Sequence, residues 1–203
     1  MVEEIIDQKV ASVEYPVIDL IKNRWSPRAF SSSPIEEEKI MSLIEAARWA
    51  PSCFNEQPWN FILFKKENQE AYKNIIDIIS FKNQLWAKAA PLIILSVAKI
   101  NFKHSREINK HALHDVGAAV SNLTMQANSM GLYVHQMAGF NTDKAKELFN
   151  IPEGYEPVTA IAVGYYGNKD DLPEEFFKSE IAERNRKSAA EFTFEGKWHD
   201  KLI

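Results

Sequence analysis

Apolar residues recur along this chain with two different periods, and the periods divide it into elements. Ser33-Pro34-Ile35-Glu36 has the form of a capping box with proline at the first helical position, and Ile40, Leu43, Ile44 and Ala47 follow at helical spacing. The spacing predicts a helix over about 34–49, stopped by Pro51, and then a loop from Pro51 to Pro58. Val116, Ala119, Val120, Leu123, Ala127 and Met130 form one stripe of a longer helix that Gly131 can end. Gly117, Ala118 and Ala119 on that helix leave room for another helix to approach closely. A further helix is expected over Thr142 to Phe149, ahead of Pro152. Trp59 to Phe64, Pro91 to Ala98 and the β-branched run Val158 to Tyr165 are short and apolar and read as core strands. In the tail from Asp170 to Ile203, charged residues alternate with Phe176, Phe177, Phe192, Phe194 and Trp198. That segment is too apolar to lie free in water, so it is expected to pack on the body or on another subunit. The class is α+β. The chain shows no internal repeat, low-complexity tract or linker, so 1–203 reads as a single domain.

Composition adds little beyond confirming a folded chain. Hydrophobic residues make up 45% and charged residues 26% of the 203, which is far from the composition of disorder. A net charge of −4 argues against a nucleic-acid partner, whose affinity would rest on neutralising many phosphates. It still allows a local basic cluster to hold one small phosphate. Cys53 is the only cysteine, so no disulfide forms within the chain, which suits a reducing cytoplasm. Met1 to Val10 carries Glu3, Glu4 and Asp7 and no long apolar run, unlike a secretory signal. The most apolar stretch, Pro91 to Ala98, is far short of the ~20 residues of a membrane helix, so no membrane partner is expected.

Four segments carry candidate chemistry. In Arg24-Trp25-Ser26-Pro27-Arg28, Pro27 biases the chain toward extended backbone, and alternation then places Arg24, Ser26 and Arg28 on one face over about 13 Å. Such a row suits an elongated anion, because guanidinium forks match phosphate and carbonyl oxygens; two solvated arginines after a helix are the plainer reading. In Pro51-Ser52-Cys53-Phe54-Asn55-Glu56-Gln57-Pro58-Trp59, amide side chains between two prolines can read the edge of a heterocycle or merely satisfy a turn. In Gln136-Met137-Ala138-Gly139-Phe140, the glycine permits close approach of backbone to a flat ligand. Arg184-Asn185-Arg186-Lys187 is a basic knot in an acidic protein, and it either binds an anion or pairs with Glu180 or Glu183. Cys53 reads as structural, and His111, His114 and Asp115 lack a third metal ligand at a recognisable spacing, so no metal is expected.

Taken in order, Arg24-x-Ser26-x-Arg28-x-Phe30, Ala47-Arg48-x-Ala50-Pro51-Ser52-x-x-Asn55-x-Gln57-Pro58-Trp59-x-Phe61, Gly139-Phe140 and Arg184-x-Arg186-Lys187 resemble the nitroreductase family over about Val17 to Trp198. The resemblance implies an α+β sandwich, a mostly antiparallel sheet flanked by helices, in a homodimer with a swapped tail and two FMN molecules at the subunit interface. It places Arg24, Ser26, Arg184 and Arg186 at the phosphate and ribityl end and Arg28 at the pyrimidine edge, with Trp25 a further cofactor-binding candidate. Pro51, Ser52 and Asn55 would reach in from the partner subunit, and Ala138 and Gly139 would bring backbone to flavin N5, with Cys53, Gln57 and Met137 as further cofactor-binding candidates beside them. Many family members carry Glu where Ala138 stands. Asn83 or Gln84 is the candidate for an amide against the ring. The implied activity moves hydride from NADH or NADPH through the flavin to a small nitroaromatic, quinone or enone in a ping-pong cycle. Flavin storage or sensing without turnover, a dehalogenase-like reaction and flavin-consuming chemistry stay open. No catalytic side chain is expected, because the flavin supplies the reactive atom. There is no G-x-G-x-x-G, so a nicotinamide donor would stack on the flavin.

Overall fold

The computed structural model describes residues 8–201. The first seven residues, which include most of the acidic N-terminal stretch, and the last two of the tail lie outside the described residues. Four strands, β1 (Trp59–Lys65), β2 (Leu92–Lys99), β3 (Tyr133–Met137) and β4 (Tyr155–Gly164), form one sheet in the order β1-β2-β4-β3. Every neighbouring pair is antiparallel. The helices are α1 (Asp19–Asn23), α2 (Glu37–Arg48), α3 (Gln69–Ile78), α4 (Phe81–Ala87), α5 (Ala112–Ser129), α6 (Thr142–Leu148) and α7 (Glu174–Ile181).

Helices cover both faces of the sheet, which explains why β2 is a continuous apolar run rather than an alternating one. Leu92 and Ile94 join Leu43 of α2 and Val116, Val120 and Leu123 of α5 in one core layer. Ile93, Leu95 and Val97 join Ile75 of α3, Trp86 of α4, Ala145 of α6 and Phe176 of α7 in the other. The expected α+β sandwich with an antiparallel central sheet is therefore the fold. A bulge between Ser96 and Val97 interrupts the pairing of the two inner strands.

Three details differ from the pattern. The helix expected from Pro34 starts at Glu37, with no side-chain cap. The Glu36 carboxylate is held by the Tyr165 hydroxyl at 2.5 Å and by Lys39 at 3.3 Å, so it cannot reach back to Ser33 as a capping box requires. Second, Gly117 is open, with nothing within 4 Å of where a Cβ would stand. Helix α2 packs on α5 further along, where Asn122 donates to the Ala46 carbonyl and Gln126 to the Ser42 hydroxyl. Third, α3, α4, β3 and α7 are elements that the sequence pattern left unassigned. In the tail, Phe176 is buried, whereas Phe192 and Trp198 are 63% and 75% exposed.

Candidate functional site

Helix α1 ends at Arg24 in extended backbone, and the chain runs on to Phe30, which meets Tyr166 in a single bridge. Along this strip Arg24 Nη1 lies 3.3 Å from Ser26 Oγ, as alternation along an extended segment requires. The tail comes back beside it. Lys9, Arg24, Trp25, Ser26, Ser179, Ala182, Glu183, Arg184 and Arg186 line a cavity of about 190 Å³. Burial holds the Arg24 guanidinium below its ordinary pKa, and the charge of Arg186 pushes the same way. Arg184 is lowered by burial and then by Arg24 and Arg186. Burial also lowers Lys9, against the opposing pull of Glu180. Three guanidinium groups and an ammonium thus converge where a bound anion would relieve their repulsion.

The four cations are not equally free. Arg184 Nη1 donates to the carbonyls of Lys9 and Lys22, both at 2.6 Å, so it ties the tail to the N-terminal segment. Arg186 is exposed and, among the described residues, donates only to the adjacent Asn185 carbonyl. Arg28 leaves the row: its Nη1 lies 3.3 Å from Ser179 Oγ, and its guanidinium rests 6.0 Å from the Trp86 ring and 5.7 Å from Phe176. The Trp25 side chain is buried against Tyr133 and Tyr166, so only its backbone is available to a ligand.

The same holds for Met137, which is 2% exposed. Ala138 beyond it is open to solvent. Gly139 is wedged against the turn before α4: its carbonyl accepts from Ser80 N at 2.7 Å, and a Cβ there would stand 2.8 Å from Ser80 Oγ and 3.2 Å from Asn83 Nδ2. That geometry separates two of the sequence candidates. Gln84 spends its amide on the Ile79 carbonyl at 2.7 Å, whereas Asn83 brings its amide to Gly139. Behind them His135 Nδ1 donates to the Pro27 carbonyl at 2.8 Å and the ring packs 4.4 Å from Trp86. Burial, with the charge of Arg28 adding to it, pushes its pKa down to about 4.

The Pro51 to Pro58 loop holds Phe54, Asn55 and Gln57 at φ of 50°, 56° and 50°, a region that non-glycine residues enter only when their surroundings compel it. Asp115, buried near the start of α5, accepts from Cys53 N at 3.0 Å, and Ser52 Oγ accepts from Gln57 N at 3.0 Å. Gln57 Nε2 donates to the Asn55 carbonyl at 3.2 Å. Pro51 and Asn55 face solvent, while Ser52 and the Cys53 thiol are half-buried. Glu56 accepts from Lys103 N at 3.0 Å and meets His104 Nδ1 at 3.2 Å, joining this loop to the 102–107 turn.

The structure therefore gathers Arg24, Ser26, Arg184 and Arg186 in one cradle and Asn83 with Gly139 beside α4, and it leaves the Pro51 loop on a third surface. Lys9 and Ser179 are site residues that the sequence reading missed, while Glu180 and Asp115, weighed there as a partner for the basic knot and as a metal ligand, instead accept from the backbone amides of Arg28 and Ala29 and of Cys53. Lys9 and Asp115 are polar residues within otherwise legible segments, and nothing local marks them as buried.

Comparison with known proteins gives the arrangement a family. The model of the nitroreductase family matches residues 21–80 and 69–165. A crystal structure described as an oxidoreductase containing FMN superposes with a TM-score of 0.89 at 32% identity, over 94% of this chain and 96% of that one. A nitroreductase family protein from Clostridium novyi NT superposes with a TM-score of 0.64 at 25% identity, over 77% and 89%. The FMN reductase [NAD(P)H] of Bacillus subtilis (strain 168) is 25% identical over 183 residues, covering 78% of this chain and 71% of its own. With most of the chain inside the family match, and with the fold shared, this protein belongs to the nitroreductase family.

Proposed function

We propose that the protein is an FMN-dependent oxidoreductase that takes reducing equivalents from NADH or NADPH and passes them to a small electron-poor acceptor, a nitroaromatic, quinone or enone. The observation that carries this reading is the cation cradle, where burial and then the neighbouring guanidinium charges depress the pKa of Arg24 and Arg184 around a small cavity. Such a cluster is costly unless an anion occupies it, and its donor set of guanidinium forks and the Ser26 hydroxyl suits a phosphate monoester. The names of the relatives, an FMN reductase and an oxidoreductase containing FMN, supply the rest of that molecule.

When bound, FMN would supply the hydride-accepting atom N5, so the protein needs no nucleophile of its own. Arg24, Ser26 and Arg186 would hold the phosphate, and Arg184 would hold the tail in place around it. The ring would lie beside the Gly139 backbone, whose missing side chain makes room for Ser80 and Asn83, and the adjacent Asn83 amide offers a donor and an acceptor to its edge. Arg28 adds positive charge near the same edge. His135 stays neutral above pH 4 or so and serves as packing rather than as a proton source. The Pro51 to Gln57 loop of a second copy would cover the remaining side. Phe54, 84% exposed, stands edge-on to Phe102 at 6.1 Å, and Phe102 meets His104 at 5.7 Å. That open aromatic surface suits flat acceptors. Among the described residues no helix is long and apolar enough to cross a membrane, and we propose a cytoplasmic homodimer.

The test is spectroscopic. Protein loaded with FMN is mixed with NADH or NADPH in the absence of oxygen, and the flavin band is followed. Bleaching, reversed by adding a quinone, is the expected result; a stable oxidised spectrum with both donors would leave a flavin-binding protein without turnover.

A further inference from the structure

Glu180 is only 1% exposed, on a helix whose first-turn acids, Glu174 and Glu175, face solvent. A carboxylate withdrawn from water carries a large desolvation penalty unless its oxygens are hydrogen-bonded. Both are. Oε2 accepts from Arg28 N at 2.9 Å, and Oε1 accepts from Ala29 N at 3.1 Å and from Arg28 N at 3.2 Å. Residues 24–29 belong to none of the strands, and their first ladder contact is the single bridge at Phe30. Glu180 therefore stands where the carbonyls of a neighbouring strand would stand. Two more clasps tie the tail to the N-terminal segment and α1, just ahead of the strip: Lys9 Nζ donates to the Ala182 carbonyl, and Arg184 Nη1 to the carbonyls of Lys9 and Lys22.

These clasps act across the cradle. Arg24 and Ser26 come from the strip and Arg184 and Arg186 from the segment just after Glu180, and the cations of the two segments repel. Without a fastening, an empty cradle would open. We propose that Glu180 is the positioning residue of the cradle: by holding the Arg28 and Ala29 amides it fixes the strip against the tail, and so presents Arg24, Ser26 and Arg186 to a phosphate in a preformed arrangement. The proposal rests on the reading of the cradle as the FMN phosphate site.

Glu180→Gln keeps the shape but leaves one acceptor where two were used, and it turns an NH₂ group toward amides that also donate. FMN affinity should then fall about tenfold or more, since the phosphate meets a cradle no longer held in register. Riboflavin, which lacks the phosphate, should bind wild type and variant alike. Fluorescence titration of both ligands against both proteins reads the ratio directly. A lower FMN-to-riboflavin preference in Glu180→Gln supports the role; equal weakening of both ligands, or an unchanged preference, overturns it. Should that variant fail to fold, amide exchange at Arg28 and Ala29 in the wild-type protein decides the matter. Protection before any phosphate is added supports the role, and free exchange that persists in saturating FMN overturns it. If wild type binds neither ligand the FMN reading fails, and exchange at the same two amides with and without inorganic phosphate still tests the positioning role: protection already present without phosphate supports it, and exchange that is fast until phosphate is added, or stays fast with phosphate bound, overturns it.

Discussion

Arg184 and Arg186 lie two residues apart and read alike in the sequence, yet the structure gives them different work, and replacing each by alanine separates the two roles. Arg184 donates to two backbone carbonyls at 2.6 Å. A hydrogen bond from a charged group contributes about 1.5–3 kcal/mol where buried, and this side chain is only half-buried, so about 1–1.5 kcal/mol each is a fairer figure. Arg184→Ala should then cost the FMN-free protein about 2–3 kcal/mol, which for a chain of this size lowers Tm by roughly 4–12 °C. Arg186 is exposed and, among the described residues, bonds only to the neighbouring Asn185 carbonyl. Its removal also relieves repulsion with Arg24 and Arg184, so the FMN-free Tm should hold or rise slightly. FMN affinity should nevertheless fall roughly ten- to a hundredfold in Arg186→Ala, the loss of one charge-assisted phosphate contact, with riboflavin binding unchanged. Thermal unfolding by circular dichroism and ligand titration measure the two effects separately. If Arg186→Ala unfolded as early as Arg184→Ala, or bound FMN like wild type, the division of labour argued from the hydrogen bonds would be wrong.

Gly139→Ala would put a methyl group 2.8 Å from Ser80 Oγ and 3.2 Å from Asn83 Nδ2; Ser80 Oγ has to move and Asn83 has to give by a few tenths of an ångström, so the absorption spectrum of bound flavin should shift slightly and its affinity drop, and an unaltered spectrum and affinity would count against a flavin beside Gly139. His135 titrates at about 4 in the fold but near 6.5 in an unfolded chain, so the unfolded state takes up the proton first as the pH falls. The fold should therefore lose up to about 3 kcal/mol between pH 6.5 and 4 and no more from this group below that; His135→Gln should flatten denaturant-derived stability over that window, and identical pH slopes would contradict the burial argument. If donor and acceptor use one open face of the flavin in turn, steady-state rates at several donor concentrations should give parallel double-reciprocal lines, whereas intersecting lines would require a separate nicotinamide site. Sedimentation at low micromolar concentration should give twice the chain mass, and an FMN-loaded monomer would refute a site shared between two chains.

Much of the fold was legible because its signals are local. The run Pro91 to Ala98 differs from β2 by one residue at each end, and the stripe from Val116 to Met130 lies along α5. Strand β3 was not legible: five residues containing His135 and Gln136 show no clean alternation, and they form a strand because β4 supplies a ladder. At the site, the clustered arginines and the family spacing marked Arg24, Ser26, Arg184 and Arg186. Glu180 was indistinguishable from Glu174, Glu175 and Glu183. Only the return of the tail to a strip some 150 positions earlier selects which of these acids is buried, and no pattern within a helix records that. The misplaced capping box has the same cause, since Tyr165, far along the chain, claims the Glu36 carboxylate.

The strand order bears on how many chains one site needs. The Pro51 to Pro58 loop leads into β1, and Ala138 and Gly139 follow β3, so the two segments emerge at the same end of the sheet but at its opposite edges. On the pairing register Met137 stands level with Ile62, through Ala160 and Leu95. Three strand spacings separate them, about 14 Å, wider than the fused rings of a flavin can bridge while resting on the Gly139 backbone. Anchors at Asp115, Lys103 and His104 fix the loop on its own side. If both segments contact one flavin, the loop comes from another copy of the chain. The strained Phe54-Asn55 turn, the bare Phe54 ring, the open Gly117 and the exposed Phe192 and Trp198 of the tail are costs that a monomer bears without return and that a dimeric neighbour would offset.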